Sequence, residues 1–200
     1  MISYIKGKIV YKSPTYIILE VNNIGYHIKI SLNTYEQLNN QTKEPDASTL
    51  ILTLVHIKED AHTIYGFCSE HERYLFKQLI TVNGIGYSTA NIALSYLTPS
   101  ELEEAILAAR VDIIKKIKGI GEKSASRIVL ELKDKLTKTN STSISQANQI
   151  GSQNKDLAQN ALVALGFSRA MVEKIVNKIY SNTITDKSVE ALVKEALKQL

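Results

Sequence analysis

The octapeptide VNGIGYST (Val82 to Thr89) recurs as IKGIGEKS (Ile117 to Ser124), placing Gly84 and Gly119 35 residues apart. Each copy lies between stretches whose apolar residues recur at three- and four-residue steps, such as Leu75, Leu79 and Ile80, then Ile92, Leu94 and Leu97. A chain with this repeat must build two helix–turn–helix units, each turning on a Gly-Ile-Gly. Glycine there permits a positive φ, and the helix that follows starts with unpaired N–H groups, a natural site for an anion. A single Gly-x-Gly is better explained as an ordinary turn between helices. Its duplication, with the flanking pattern duplicated too, points instead to two grips on neighbouring phosphates that read no bases. Candidate contacts are Gly84, Gly86, Ser88 and Thr89 in the first copy, and Gly119, Gly121, Lys123, Ser124 and Arg127 in the second. A dinucleotide-binding fingerprint is excluded, because the hairpins follow helices and Thr89 and Ser124 stand where a third glycine is needed.

The repeat occupies the middle of a chain of three characters. Residues 1–66 alternate with period two, as in Tyr16 to Asn22 and Ile24 to Ile30, with breaks at Ser13-Pro14, at Asn22-Asn23 and across the polar run Asn39 to Ser48. Five short strands with a small helix near Tyr35 predict a compact barrel. Residues 67–137 are helical, with a helix start at Thr98-Pro99 and Glu101 nearby. The tract from Thr137 to Asn154 is dominated by Ser, Thr, Asn and Gln, so 138–154 reads as a flexible linker. Residues 155–200 resume a helical period and predict a three-helix bundle in which Gly166 ends the first helix and Ser168 caps the next. The fold class is therefore multidomain α+β.

Charge and cysteine content narrow the chemistry. A net charge of +4 is compatible with a polyanionic partner but far from strongly basic, so binding must rely on local geometry. Cys68 is the only cysteine and reads as a small buried hydrophobe, leaving no disulfide or thiolate metal site within one chain. No apolar run is long enough to span a membrane and no signal peptide opens the chain, so a soluble, cytoplasmic protein is expected. Glu59 and Asp60 sit at the polar apex between two apolar strands; a solvated turn accounts for them, and a metal would need further carboxylates. His27, His56, His62 and His71 show no ligand spacing, no nucleophile stands beside a base, and no Gly-x-x-x-x-Gly-Lys-Ser/Thr occurs. No catalytic residue, metal or cofactor is expected.

Taken in order, MISYIKGKI at the N-terminus, EDAHTIYGF (Glu59 to Phe67), the two hairpins and LVALGF (Leu162 to Phe167) resemble the RuvA family of bacterial Holliday junction DNA-binding subunits over essentially the whole chain. The resemblance implies an OB-fold barrel, tandem helix-hairpin-helix motifs and a C-terminal domain that contacts the hexameric RuvB ATPase. It implies a homotetramer on four-way junction DNA, a link to the RuvC resolvase, and a role in recombination and DNA repair. Glu59 and Asp60 would then form an acidic pin at the crossover, and Leu162 and Leu165 would belong to an exposed apolar surface facing the motor. One departure stands out: relatives commonly continue the first hairpin as Gly-Val-Gly-Pro-Lys, whereas here Tyr87 and Ser88 follow Gly86. Lys123 survives in the second hairpin, which should therefore carry more of the electrostatic binding.

Two rivals compete. Helix-hairpin-helix motifs also serve DNA glycosylases and nucleases, for which Asp112 and Asp134 are the nearest catalytic candidates. Alternatively the barrel itself holds single strands, with Tyr4, Tyr16 and Tyr26 as stacking residues.

Overall fold

The structure, a computed structural model, describes residues 2–41, 48–144, 150–181 and 188–199. It divides into two compact units, Met1–Thr137 and Lys138–Leu200.

The first unit opens with β1 (Tyr4–Lys12), β2 (Tyr16–Val21) and β3 (Ile24–Ile30), then α1 (Leu32–Gln41), β4 (Ser48–Ile57) and β5 (His62–Phe67). The strands close a barrel in the order β1-β2-β3-β5-β4, with β3 and β5 parallel and the remaining pairs antiparallel. The alternation seen in the sequence is the inside–outside alternation of this barrel: Ile5, Ile17, Leu19, Ile28, Ile30 and Ile51 point inward, and Leu38 of α1 joins them. Asn22 and Asn23, at φ of 49° and 65°, make the two-residue turn between β2 and β3, a conformation asparagine tolerates. At Gly66 a methyl group would come within 2.5 Å of the Ile28 side chain and 2.8 Å of that of Ile51, so the β3–β5–β4 closure leaves no room for any side chain. Of the polar run expected as a break between Asn39 and Ser48, residues 42–47 lie outside the described residues.

Helices α2 (Glu70–Leu79), α3 (Tyr87–Tyr96), α4 (Pro99–Leu107), α5 (Val111–Ile114) and α6 (Glu122–Ile144) follow. The Thr98 start is a capping box, in which the Thr98 hydroxyl accepts from the Glu101 N–H and the Glu101 carboxylate accepts from the Thr98 N–H at 2.8 Å. The boundary expected at 66/67 falls inside β5 and does not separate two cores. Leu54, Tyr65 and Phe67 of the barrel belong to the same apolar cluster as Leu75, Phe76, Leu94 and Ile128 of the helices. Polar bonds stitch this seam as well: Asn91 donates to the Ile30 carbonyl at 3.1 Å, Asn33 donates to the carbonyls of Leu94 and Leu97, and fully buried Glu72 accepts from the hydroxyls of Ser31 and Thr34. Burial pushes the Glu72 carboxyl above its ordinary pKa.

The tract expected as a flexible linker, 138–154, carries helix at both ends. Helix α6 continues to Ile144 and α7 (Ile150–Ala164) begins at Ile150, while 145–149 lie outside the described residues. A helix already nucleated by the buried face of Ile128, Leu132 and Leu136 gains one hydrogen bond per added residue, so it can continue into the Ser/Thr/Asn tract. In the second unit α7, α8 (Arg169–Ser181) and α9 (Val189–Leu197) pack through Ala158, Leu162, Val172, Val176, Ile179, Leu192 and Ala196, the expected three-helix bundle.

Candidate nucleic-acid interface

The two Gly-Ile-Gly turns are copies in three dimensions. The first glycine of each has a left-handed backbone, with φ of 91° at Gly84 and 90° at Gly119, a region that costs any other residue energy. Each turn is closed by the same bonds, displaced by 35 residues: Val82 N–H to Leu79 and Ile85 N–H to Val82 in the first, Ile117 N–H to Ile114 and Ile120 N–H to Ile117 in the second. The helices then start alike, with Ala90 N–H donating to the Gly86 carbonyl at 2.9 Å and Ala125 N–H to that of Gly121 at 2.8 Å. Gly86 caps α3 with no side-chain hydrogen bond, and a methyl group on Gly84, Gly86 or Gly121 would meet nothing within 4 Å. Open space and uncapped amides let an anionic backbone approach closely.

The hairpins lie side by side. Arg127 donates to the Asn83 carbonyl at 3.2 Å, Lys135 donates to the Thr81 hydroxyl at 3.3 Å, and a methyl group on Gly119 would lie 3.8 Å from the Thr89 methyl. Arg127, expected only as a phosphate contact, is thus a brace that holds the second motif against the first. Ser88, Lys123 and Arg127 are exposed, while Thr89 and Ser124 are half-buried.

Glu59 and Asp60 occupy the turn between β4 and β5, where Lys58 N–H donates to the Ala61 carbonyl at 2.9 Å; both are exposed. Asp60 borders an open cleft of about 590 Å³, shared with Lys29, His56 and Lys58 of the barrel and with Tyr87 and Ser88 of the first hairpin. The acidic turn and the first hairpin therefore face common space. The His56 ring stacks on Tyr87 with centroids 3.7 Å apart and planes 12° from parallel, and Tyr87 packs further on Tyr65 and Phe76. Sequence reasoning missed this pair. Nothing local marks a histidine in one strand and a tyrosine 31 positions later as partners.

Of the two carboxylates that the nuclease or glycosylase reading would use, Asp112 takes a bidentate pair of 3.0 Å bonds from Arg110, which hold its carboxyl below the usual range, and Asp134 is exposed. His71 pairs with Glu103 at 2.7 Å and His27 stacks on Tyr16. Cys68, expected as a small buried hydrophobe, is only half-buried against the barrel core, and burial pushes its thiol up to about 12. Among the described residues no group of three His, Cys, Asp or Glu converges as a metal site, and no helix is long and apolar enough to cross a membrane.

In the second unit Gly166, at φ of 99°, ends α7 as expected. The surface assigned to Leu162 needs correction: Leu162 is fully buried in the bundle core, on the α7 face that also holds Ala158, whereas Leu165 is 61% exposed beyond the last helical residue. An apolar residue on a helix favours the face its neighbours bury, and the sequence alone could not say which leucine that was.

Three family models match the chain: the RuvA N terminal domain over residues 1–66, the SAM-like helix-hairpin-helix tandem over 76–134, and the RuvA C-terminal domain over 158–200. Among curated relatives, a Holliday junction branch migration complex subunit RuvA from Christiangramia forsetii is 42% identical, with 100% of both chains covered. The subunit of the same name from Flavobacterium psychrophilum is 44% identical, again with 100% of both covered, and that from Coxiella burnetii is 37% identical over 100% of this chain and 98% of its own. With a closed barrel, a tandem pair of glycine hairpins and a terminal helical bundle in the same order as those three models, the chain belongs to the RuvA family.

Proposed function

We propose that this protein binds four-way junction DNA by shape and not by sequence, as a homotetramer that holds the junction open and recruits the RuvB ATPase for branch migration in recombination and repair. The observation that carries the reading is the pair of hairpins with matching glycine φ and hydrogen bonds, braced together by Arg127 and open above Gly84, Gly86 and Gly121. Phosphates meet the amides after Gly84, Gly86, Gly119 and Gly121, with Ser88, Thr89, Lys123, Ser124 and Arg127 adding donors; no base edge is needed. Four copies multiply these few contacts, which is why a net charge of +4 per chain suffices. Glu59 and Asp60 act as the pin, repelling phosphates at the crossover through exposed carboxylates. Leu165 serves the motor contact, with Leu162 supporting it from the core. The chain works without chemistry of its own, in the cytoplasm, with ATP hydrolysis supplied by the motor and junction cleavage by the RuvC resolvase.

The test is a titration against a four-way junction and a linear duplex of equal length at several salt concentrations, with sedimentation of the free protein. A salt-sensitive preference for the junction by a tetramer supports the reading; equal binding to both substrates overturns it.

A further inference from the structure

On the outer wall of the barrel three rings from three strands lie in one stack. Tyr11 of β1 and Tyr16 of β2 have centroids 5.4 Å apart and planes 24° from parallel; Tyr16 and His27 of β3 are 4.5 Å apart at 22°. The β1–β2 register slips between Ile9 and Tyr11, so Tyr11 pairs with Ile18 instead of following strict alternation to the interior. This bulge turns an aromatic ring outward. Tyr11 is 49% exposed and His27 is exposed, so the stack presents ring faces to solvent at its ends.

Charge accompanies the rings. Lys29 pairs with Tyr16 in the β2–β3 register, is exposed, and also borders the cleft that Lys58 and His56 share with the first hairpin. The stack and the cleft are thus continuous through Lys29. The acidic groups nearby are Glu20, opposite Lys8 in the register, and Asp60 on the cleft.

We infer that Tyr11, Tyr16 and His27 form a stacking platform for unpaired nucleotides of single-stranded DNA, with Lys29 holding the phosphate between the platform and the cleft. Every base has a π-face, so such a platform tolerates any sequence, and rings already ordered by their neighbours lose little freedom when a base lands on them. The inference rests on the junction-binding reading, because unpaired nucleotides arise where strands pass between arms. The competing use of the stack is cross-strand packing alone, which would stabilise the sheet and bind nothing.

The experiment measures the full chain against a short oligothymidylate, an abasic strand of the same length and charge, and the four-way junction. The expected result is about tenfold tighter binding to the thymidylate than to the abasic strand. Tyr11→Ala/Tyr16→Ala should erase that ratio, and Tyr11→Phe/Tyr16→Phe should keep it. Lys29→Ala should weaken both strands together and lower the salt slope by about 1. Equal affinity of the unaltered protein for the two strands overturns the platform without any variant, as does a ratio that survives in a folded alanine double variant. A protein that prefers the junction over duplex yet ignores the bases loses only the platform; one that senses the bases but not the junction keeps the platform and loses the four-way reading.

Discussion

The first and second hairpins share a backbone and differ in what surrounds it. Both turn on a glycine near φ of 90°, both close with the same bonds, and both start a helix with an exposed amide end. In the first, the residue after the second glycine is Tyr87, which packs on Phe76 and Tyr65 and stacks on His56 of the barrel. In the second the corresponding residue is Glu122, exposed, followed by exposed Lys123. Duplication thus preserved the main-chain turn, while the side chain after the second glycine packs against the barrel in the first copy and stands exposed beside a lysine in the second.

The largest test of that division is Tyr87→Ala, which removes the stack and its apolar contacts. We expect a loss of about 2 kcal/mol in the unfolding free energy of the first unit, measured by denaturant titration. If stability stays level, Tyr87 does not hold the barrel against the first hairpin. Glycine replacement should show what the copies share. Gly84→Ala and Gly119→Ala each force an L-residue into a left-handed backbone with space for the methyl, so each should cost about 1–2 kcal/mol, and clearly unequal costs would break the symmetry.

Lys123→Ala should leave stability unchanged and weaken junction binding by well over tenfold, with a salt slope shallower by about 4 because one contact is lost from each of four subunits, while Ser88→Lys strengthens it. Equal effects from Lys123→Ala and Ser88→Ala would mean that the charge asymmetry does not matter. The smallest effect concerns Glu72, on the helix that enters the first hairpin. Its folded pKa lies above the unfolded value, so the folded state holds the proton more tightly; stability contributed by the protonated form is full below the ordinary carboxylate pKa and is lost as pH rises through the raised value. Melting temperatures of the wild type and Glu72→Gln should therefore diverge between mildly acidic and neutral pH, the glutamine variant gaining with rising pH. Parallel curves would show that the seam does not feel this carboxyl.

Much of this molecule was legible from its residues in order. Period two in the first 66 residues, the Asn22-Asn23 turn, the Thr98-Glu101 box, the duplicated glycines and the Gly166 stop all act within a few positions of themselves, and local sterics and hydrogen bonding determine them. The Ser/Thr/Asn/Gln tract misled because composition reports what a segment can bury, whereas a helix begun on the buried face of α6 can propagate by backbone hydrogen bonding.

What the tertiary structure alone decided is which side chains meet. Leu162 went to the core and Leu165 to solvent, Arg127 reached back to Asn83, His56 found Tyr87, and a one-residue slip turned Tyr11 outward beside Tyr16. Each outcome depends on the packing of elements distant in the chain or on register between strands, where a shift of one residue exchanges the inner and outer faces. Sequence by itself determined most of the elements, their order and the two glycine turns; close packing determined the partners, because contact between remote residues depends on the whole arrangement and not on any local preference.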